Sequence, residues 1–168
     1  MLFSLCADTS LKGDELAKHV LALAAETRPG GATFLSAVLE RELQSGVVRV
    51  SWLAPAEYGA VLKQLVAGSV RDQVKLLFEI QGYCHKLKFP KYESKDKALN
   101  LIEVLFQLLY KYEIVEEASF LAWVDDEAEK PGRTNAIIQT TNFINIFREL
   151  DEVDEDEDDD VDAPRAVV

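Results

Sequence analysis

Residues 98–109 have the sequence ALNLIEVLFQLL, and the fold class can be worked out from them. Its apolar residues recur at the three- and four-residue spacing of a helix and cover much of the helix circumference. Such a helix must be covered by other elements on most of its sides. The sequence therefore predicts a central helix here, with Ser94 as its N-terminal cap.

The segment upstream of this stretch also has helical periodicity, interrupted by glycine and proline. Gly46 is a typical C-terminal stop, and Ser69 followed by Asp72 has the spacing of a capping box, with Asp in place of the usual Glu. The pattern predicts four upstream helices, over residues 16–28, 34–46, 55–68 and 70–89. Between them, residues 47–53 are β-branched but have no second strand to pair with, so we expect an extended connector or a helix start.

Downstream, the pattern predicts a short helix over residues 115–124 and a break at Pro131-Gly132. A last helix follows, with Thr134 as its cap. No segment alternates apolar and polar residues as a half-buried strand does. The sequence therefore predicts an all-α protein, a HEAT-like α-solenoid of antiparallel helix pairs or, failing that, a plain helical bundle.

The charge is distributed unevenly along the 168 residues, whose net charge is −12. Residues 151–162 contain ten acids and no base, whereas residues 1–150 contain 20 acids and 17 bases. We therefore expect one helical domain over residues 1–150 and a disordered acidic tail over 151–168. This balance favours a basic protein partner and does not favour direct binding to nucleic acid.

The composition also points to a cytoplasmic protein. No apolar run approaches the ~20 residues of a membrane helix, and no secretory signal pattern opens the chain. Cys6 and Cys84 lie far apart and outside any C-x-x-C motif, which is typical of reduced thiols.

The residues that enzymes commonly use do not form a pattern here. His19 lies in a predicted amphipathic helix, where a core or boundary role is the more common one. Cys84 and His85 are adjacent, and neighbours on a helix point about 100° apart, which does not suit a nucleophile–base pair. We therefore predict no catalytic residue, no metal site and no cofactor.

Two segments instead combine aromatic with acidic residues: YEIVEEASFLAW at 112–123 and FINIFRELDE at 143–152. Large aromatic residues are most often core, so we expect the aromatic side chains to be mainly buried. The aromatic set is Tyr112, Phe120, Trp123, Phe143 and Phe147. The acidic residues could be a solvated face or a binding site for a basic partner. The candidate binding set is Glu113, Glu116, Glu117, Asp125, Asp126, Glu149, Asp151 and Glu152.

These segments resemble the two aromatic/acidic boxes of the W2 domain, an atypical HEAT domain that ends several translation initiation factors. The sequence PGRTNA at 131–136 belongs to the resemblance to the second box. The chain is most similar to the initiation factor 4-gamma branch, which Phe89-Pro90-Lys91 also fits. The resemblance covers about residues 73–160 and is clearest over 73–150. Two positions depart from the family pattern: Phe147 stands where a tryptophan is frequent, and Arg133-Thr134 stands where a lysine–glycine pair is common.

The resemblance implies a docking module in the cytoplasm that receives lysine- and arginine-rich segments of other proteins. In relatives these belong to the beta subunit of initiation factor 2 or to a signal-integrating kinase. The alternatives are a domain similar to that of initiation factor 5 or of factor 2B-epsilon, which engages initiation factor 2, and a purely structural helical repeat. We expect a monomer. The lysine-rich stretch 86–97 could be a weak basic patch or a solvated loop.

Overall fold

The computed structural model describes residues 10–157, with side chains described for 10–150. Within that range the chain forms seven α-helices and one β-hairpin. The helices are α1 (Gly13–Leu21), α2 (Gly31–Ser45), α3 (Ala60–Val66), α4 (Val70–Lys86), α5 (Leu101–Lys111), α6 (Glu117–Asp125) and α7 (Arg133–Glu157). The strands are β1 (Lys91–Ser94) and β2 (Lys97–Asn100), paired antiparallel.

The helices stack in two layers, which confirms the HEAT-like all-α prediction. Helices α2, α4 and α6 pack side by side in one layer, and in the other α1 packs on α3 and α5 packs on α7. Sequence neighbours α4 and α5 pack on each other, as do α6 and α7. The predicted central helix α5 has five fully buried residues: Leu101, Ile102, Leu105, Phe106 and Leu109.

Two of the predicted helix signals are confirmed. Gly46 ends α2 in the left-handed region at φ 67°, which glycine adopts without a Cβ penalty. The Ser69 hydroxyl accepts the backbone N–H of Asp72 at 3.2 Å and donates to the Asp72 carboxylate at 3.0 Å. The Lys75 ammonium, 2.8 Å from that carboxylate, and the Ser69 hydroxyl hold the Asp72 pKa below its usual range.

The prediction that Ser94 caps the central helix is wrong, as is the absence of strands. Ser94 ends strand β1, and residues 91–100 form the hairpin before α5 begins at Leu101. Only Tyr92 of β1 is even half-buried. A hairpin this exposed has no apolar alternation, because it buries neither face.

Three other helices have different limits from those predicted. The helix predicted over residues 16–28 is α1, which ends at Leu21. The helix predicted from Pro55 to Gly68 is divided by an irregular turn over Pro55–Gly59, in which Glu57 is non-helical, before α3. The last helix begins at Arg133, so Thr134 lies within its first turn. Residues 47–53 are confirmed as a connector, which ends in a short 3₁₀ turn at Ser51–Leu53.

The predicted domain boundary at residue 150 falls inside α7, which continues to Glu157. Seven residues assigned to a disordered tail therefore have helical backbone. Residues 158–168 and Cys6 lie outside the described residues.

A glycine in the turn before α3 tests this packing. A Cβ on Gly59 would collide with the carbonyl oxygen of Leu53, which is backbone and cannot swing away. We expect Gly59→Ala to lower the free energy of unfolding by about 2 kcal/mol, a typical cost of overpacking. Urea denaturation measures it.

The matched control is Gly82→Ala in the middle of α4, where a Cβ meets nothing within 4 Å. Alanine has the higher helix propensity, so this variant should gain about 0.5–1 kcal/mol. Equal effects of the two substitutions would contradict the close approach at Gly59.

Candidate acidic and aromatic docking site

The aromatic residues of the two segments form the core that joins α5, α6 and α7. Phe120 of α6 lies at its centre, with ring centroids 5.4 Å from Phe106, 5.2 Å from Phe143 and 5.6 Å from Phe147. Trp123 packs edge-on against Phe106 at 4.9 Å. Aromatic rings at these separations stabilise one another beyond the area that they bury.

Most rings of this cluster are buried and cannot contact a partner directly. Phe120 and Trp123 are fully buried and Phe143 and Phe147 nearly so, whereas Tyr112 is half-buried. The four buried rings therefore fix the position of α6 and α7 and leave partner contacts to other side chains.

The first acidic group lies at the N-terminal end of α6 and consists of Glu113, Glu116 and Glu117. Glu116 is the N-cap residue, and Glu117 opens the helix. Glu113 is exposed with φ 56°. Its carboxylate accepts from the Lys63 ammonium at 2.8 Å, and this contact holds the pKa of Glu113 below its usual range.

A buried glutamine on α4 fixes this end of α6. The side-chain oxygen of Gln73 accepts the backbone N–H of Glu116 at 2.9 Å and the Ser119 hydroxyl at 2.6 Å. Gln73 and Ser119 are both buried. Sequence analysis did not identify Gln73 as important, because its role depends on a contact 43 residues away.

The acids of the first group border a shallow pocket of 640 Å³ on the surface. Its other lining residues are Lys63, Tyr110, Lys111 and Val115. The pocket therefore offers carboxylates beside the exposed edge of one aromatic ring, which is 43% accessible.

The second acidic group, Asp125 and Asp126, lies at the other end of α6. Asp125 ends the helix and is exposed, whereas Asp126 is half-buried and accepts the backbone N–H of Ala128 at 2.8 Å. The Arg148 guanidinium lies 3.4 Å from the Asp125 carboxylate. Such an exposed pair is worth ~0–1 kcal/mol.

Arg133 of α7 caps this end of α6. Its guanidinium donates to the carbonyl oxygens of Trp123, Val124 and Asp126 at 2.7–2.9 Å. It also lies 4.8 Å from the centre of the Trp123 ring. Burial lowers the pKa of Arg133, which titrates far above neutrality in any case. Arg133 therefore joins the start of α7 to the end of α6.

The predicted acidic residues do not form one continuous face. Helix α6 has nine residues, so its two acidic groups are separated by about 12 Å along the axis. Glu149 is exposed on α7, next to the arginine that meets Asp125. Asp151 and Glu152 continue that helix, and their side chains lie outside those described.

The structure also shows the surroundings of Cys84 and His85, the residues considered above for a catalytic role. Cys84 is fully buried, and desolvation raises the pKa of its thiol to about 12, the opposite of what a nucleophile needs. His85 is exposed. Over the described residues, no group of three or more His, Cys, Asp or Glu side chains could hold a metal ion, and no helix is long and apolar enough to span a membrane.

Comparison with known families matches residues 72–160 to W2, described as eIF4-gamma/eIF5/eIF2-epsilon. The match covers more than half of the chain and includes both acidic groups and the aromatic cluster. The chain belongs to the W2 family. Its resemblance to this family, predicted from residues 112–123 and 143–152, is confirmed.

Curated relatives include eukaryotic translation initiation factor 4 gamma 2 of Mus musculus and of Homo sapiens. Each is 28% identical over 99 residues, which covers 58% of this chain and 10% of the relative. Eukaryotic translation initiation factor 4 gamma 3 of Mus musculus is 24% identical over 139 residues, covering 78% of this chain and 8% of the relative. The chain thus spans about a tenth of the length of the relatives that it matches.

Within the W2 match, the buried glutamine gives a stability prediction. Gln73→Met keeps the side-chain size but removes the acceptor of the Glu116 N–H and the Ser119 hydroxyl. We expect the free energy of unfolding to fall by about 2 kcal/mol, because a buried donor without a partner costs about 1–3 kcal/mol.

Urea denaturation of Gln73→Met and of Gln107→Met, an exposed position on α5, makes the comparison. The control should change by less than about 0.5 kcal/mol. A loss of that small size in Gln73→Met would show that the anchoring of the acidic group does not depend on this side chain.

Cys84 gives a second prediction of this subsection. In a Cys6→Ser variant, Cys84 is the remaining cysteine of the chain. Because its pKa is raised to about 12, the thiol stays protonated at pH 8, and we expect no reaction with a thiol reagent over minutes in the folded protein. Urea should release one equivalent. Rapid labelling of the folded variant would contradict the burial of Cys84.

Proposed function

We propose that this chain is a protein-docking module of a 4-gamma-like translation initiation factor. In this proposal the acidic residues at both ends of α6 and on α7 receive lysine- and arginine-rich segments of a partner. Membership of the W2 family supports a role in translation initiation. The resemblance implies two partners of relatives as candidates: the beta subunit of initiation factor 2 and a signal-integrating kinase. The module acts in the cytoplasm and has no catalytic role.

One observation carries the proposal: exposed carboxylates are mounted on a helix that is fixed at both ends. Gln73 and Arg133 hold the ends of α6, and the aromatic cluster holds its inner face. Within the described part of the chain, Glu116 and Glu117 form no salt bridge. Because the helix that carries them is already fixed, a cationic partner has only side chains and no backbone to order when it binds.

The expected binding is electrostatic and salt-dependent. A single exposed ion pair contributes ~0–1 kcal/mol, so affinity has to come from many charges acting together. A clustered negative potential also accelerates encounter with a basic partner and weakens as salt screens it.

Of two alternatives, only the second predicts a different result with a basic peptide. A domain similar to that of factor 5 or of factor 2B-epsilon would bind basic segments of initiation factor 2 through the same acids, and would differ from our proposal in partner alone. A purely structural repeat predicts no saturable binding of any basic peptide.

Titration calorimetry against a lysine-rich peptide tests the proposal at two salt concentrations. We expect saturable binding that weakens at the higher salt. The test variant reverses four acids to lysine: Glu116, Glu117, Asp151 and Glu152. Reversal should abolish binding, because each attraction becomes a repulsion.

A control variant with the same total charge separates a site from bulk charge. It reverses four exposed acids away from α6 and α7: Glu15, Glu26, Glu40 and Glu93. This control should keep most of the affinity. Absence of saturable binding to the unmodified chain, or equal loss in both variants, would refute the acidic docking site.

A further inference from the structure

Three large apolar residues near the ends of α5 and α7 remain exposed, although the ring of one of them, Tyr110, also packs on the core. Ile146 and Leu150 of α7 are 54% and 51% exposed, and Tyr110 of α5 is 43% exposed. Large apolar side chains that are grouped on a surface and bordered by charge are typical of interaction sites. We call Tyr110, Ile146 and Leu150 the apolar patch.

Contacts between α5 and α7 bring these three residues together. The side-chain amide of Asn100, just before α5, donates to the Gln139 carbonyl oxygen at 3.4 Å. At the other end of α5, the Tyr110 ring lies 5.0 Å from Phe147 and 6.3 Å from Phe143. The two helices therefore run in the same sense, with Tyr110 level with residues 143–147.

Helix geometry places Ile146 and Leu150 on the α5 side of α7. They follow Phe143, whose ring packs on Tyr110, by three and seven residues, which places them about 60° and about 20° from it around the helix. Arg148, which meets Asp125, lies on a different side of the helix. The exposed side chains of the apolar patch thus lie along the seam between α5 and α7.

Acidic residues border the patch on two sides. Tyr110 lines the same pocket as Glu113, Glu116 and Glu117. Beyond Leu150, helix α7 continues into residues 151–157, six of which are acidic. Lys63, paired with Glu113, and Lys111 also line the pocket, so the free negative charge at that edge comes from Glu116 and Glu117. The acids of α7 supply the negative charge at the other edge.

We propose that the apolar patch anchors the partner of the acidic site, and that this partner is a basic segment carrying large apolar residues among its lysines and arginines. The inference rests on the proposed function and specifies the chemistry of its partner. Charge complementarity selects a cationic segment, and the three exposed side chains select apolar residues within it. Covering them adds a contribution that salt does not screen.

Two synthetic peptides of equal length and equal lysine number test the anchor by calorimetry at two salt concentrations. One contains only lysine and alanine, and the other replaces two alanines, four residues apart, with leucine. We expect the leucine peptide to bind at least about fivefold more tightly to the unmodified chain. That gain should persist at the higher salt.

The variant Ile146→Ser/Leu150→Ser should lose the gain from leucine and keep its affinity for the lysine–alanine peptide. The matched control is Ile138→Ser on the same helix, where the isoleucine is 66% exposed and lies about 140° from Phe143 around the helix. This control should keep the gain. Circular dichroism of both variants should match the unmodified chain, because the substituted positions are exposed.

The outcomes separate the two proposals. If neither peptide binds, the acidic docking site itself fails. If the lysine–alanine peptide binds and leucine adds nothing, or if the gain survives in Ile146→Ser/Leu150→Ser, only the apolar anchor is overturned. Dimerisation of the unmodified chain in sedimentation experiments, abolished by the same double substitution, would also overturn it by assigning the patch to a second copy.

Discussion

The position of α6 depends on the packing of Phe120 against rings from two other helices. Phe106 comes from α5, and Phe143 and Phe147 come from α7, so one side chain joins three elements. Because the cluster is buried, a change in any ring would move the helix that carries the acids at its ends. The aromatic part of each aromatic/acidic segment is therefore the support, and the acidic part is the surface that it supports.

The ends of α6 are fixed by two polar contacts of different kinds. Gln73 accepts two donors at the start of the helix, and Arg133 donates to three carbonyl oxygens at its end. Both satisfy groups that a helix terminus leaves without intrahelical partners. The same backbone positions carry the acidic residues, so the requirement to satisfy helix ends also determines where the carboxylates are held.

Much of this fold could be predicted from the sequence, because apolar periodicity and capping residues are local signals. Ser69 and Gly46 act within a few residues of their own positions, and both predictions are confirmed. The hairpin at 91–100 was missed because it buries neither face and has no alternation to detect. Gln73 and Arg133 were missed as anchors for a different reason: their partners are distant in the sequence or are backbone carbonyls, which leave no pattern. The acids are divided into two groups because α6 separates them. The positions of acidic residues in the sequence do not by themselves show how far apart they lie in the structure.

Helix α7 continues without a break into an acidic C-terminal end, so the stability of its last turns depends on nearby charge. The helix runs from the core at Phe147 into residues 151–157, where acids crowd its C-terminal end and no base lies in the last turn. Negative charge there opposes the helix dipole and repels itself, so the end of α7 forms against an electrostatic penalty. A cationic ligand would remove both costs. If a cationic partner binds there, as we propose, binding and formation of the last turns of α7 would be linked equilibria, and each would favour the other.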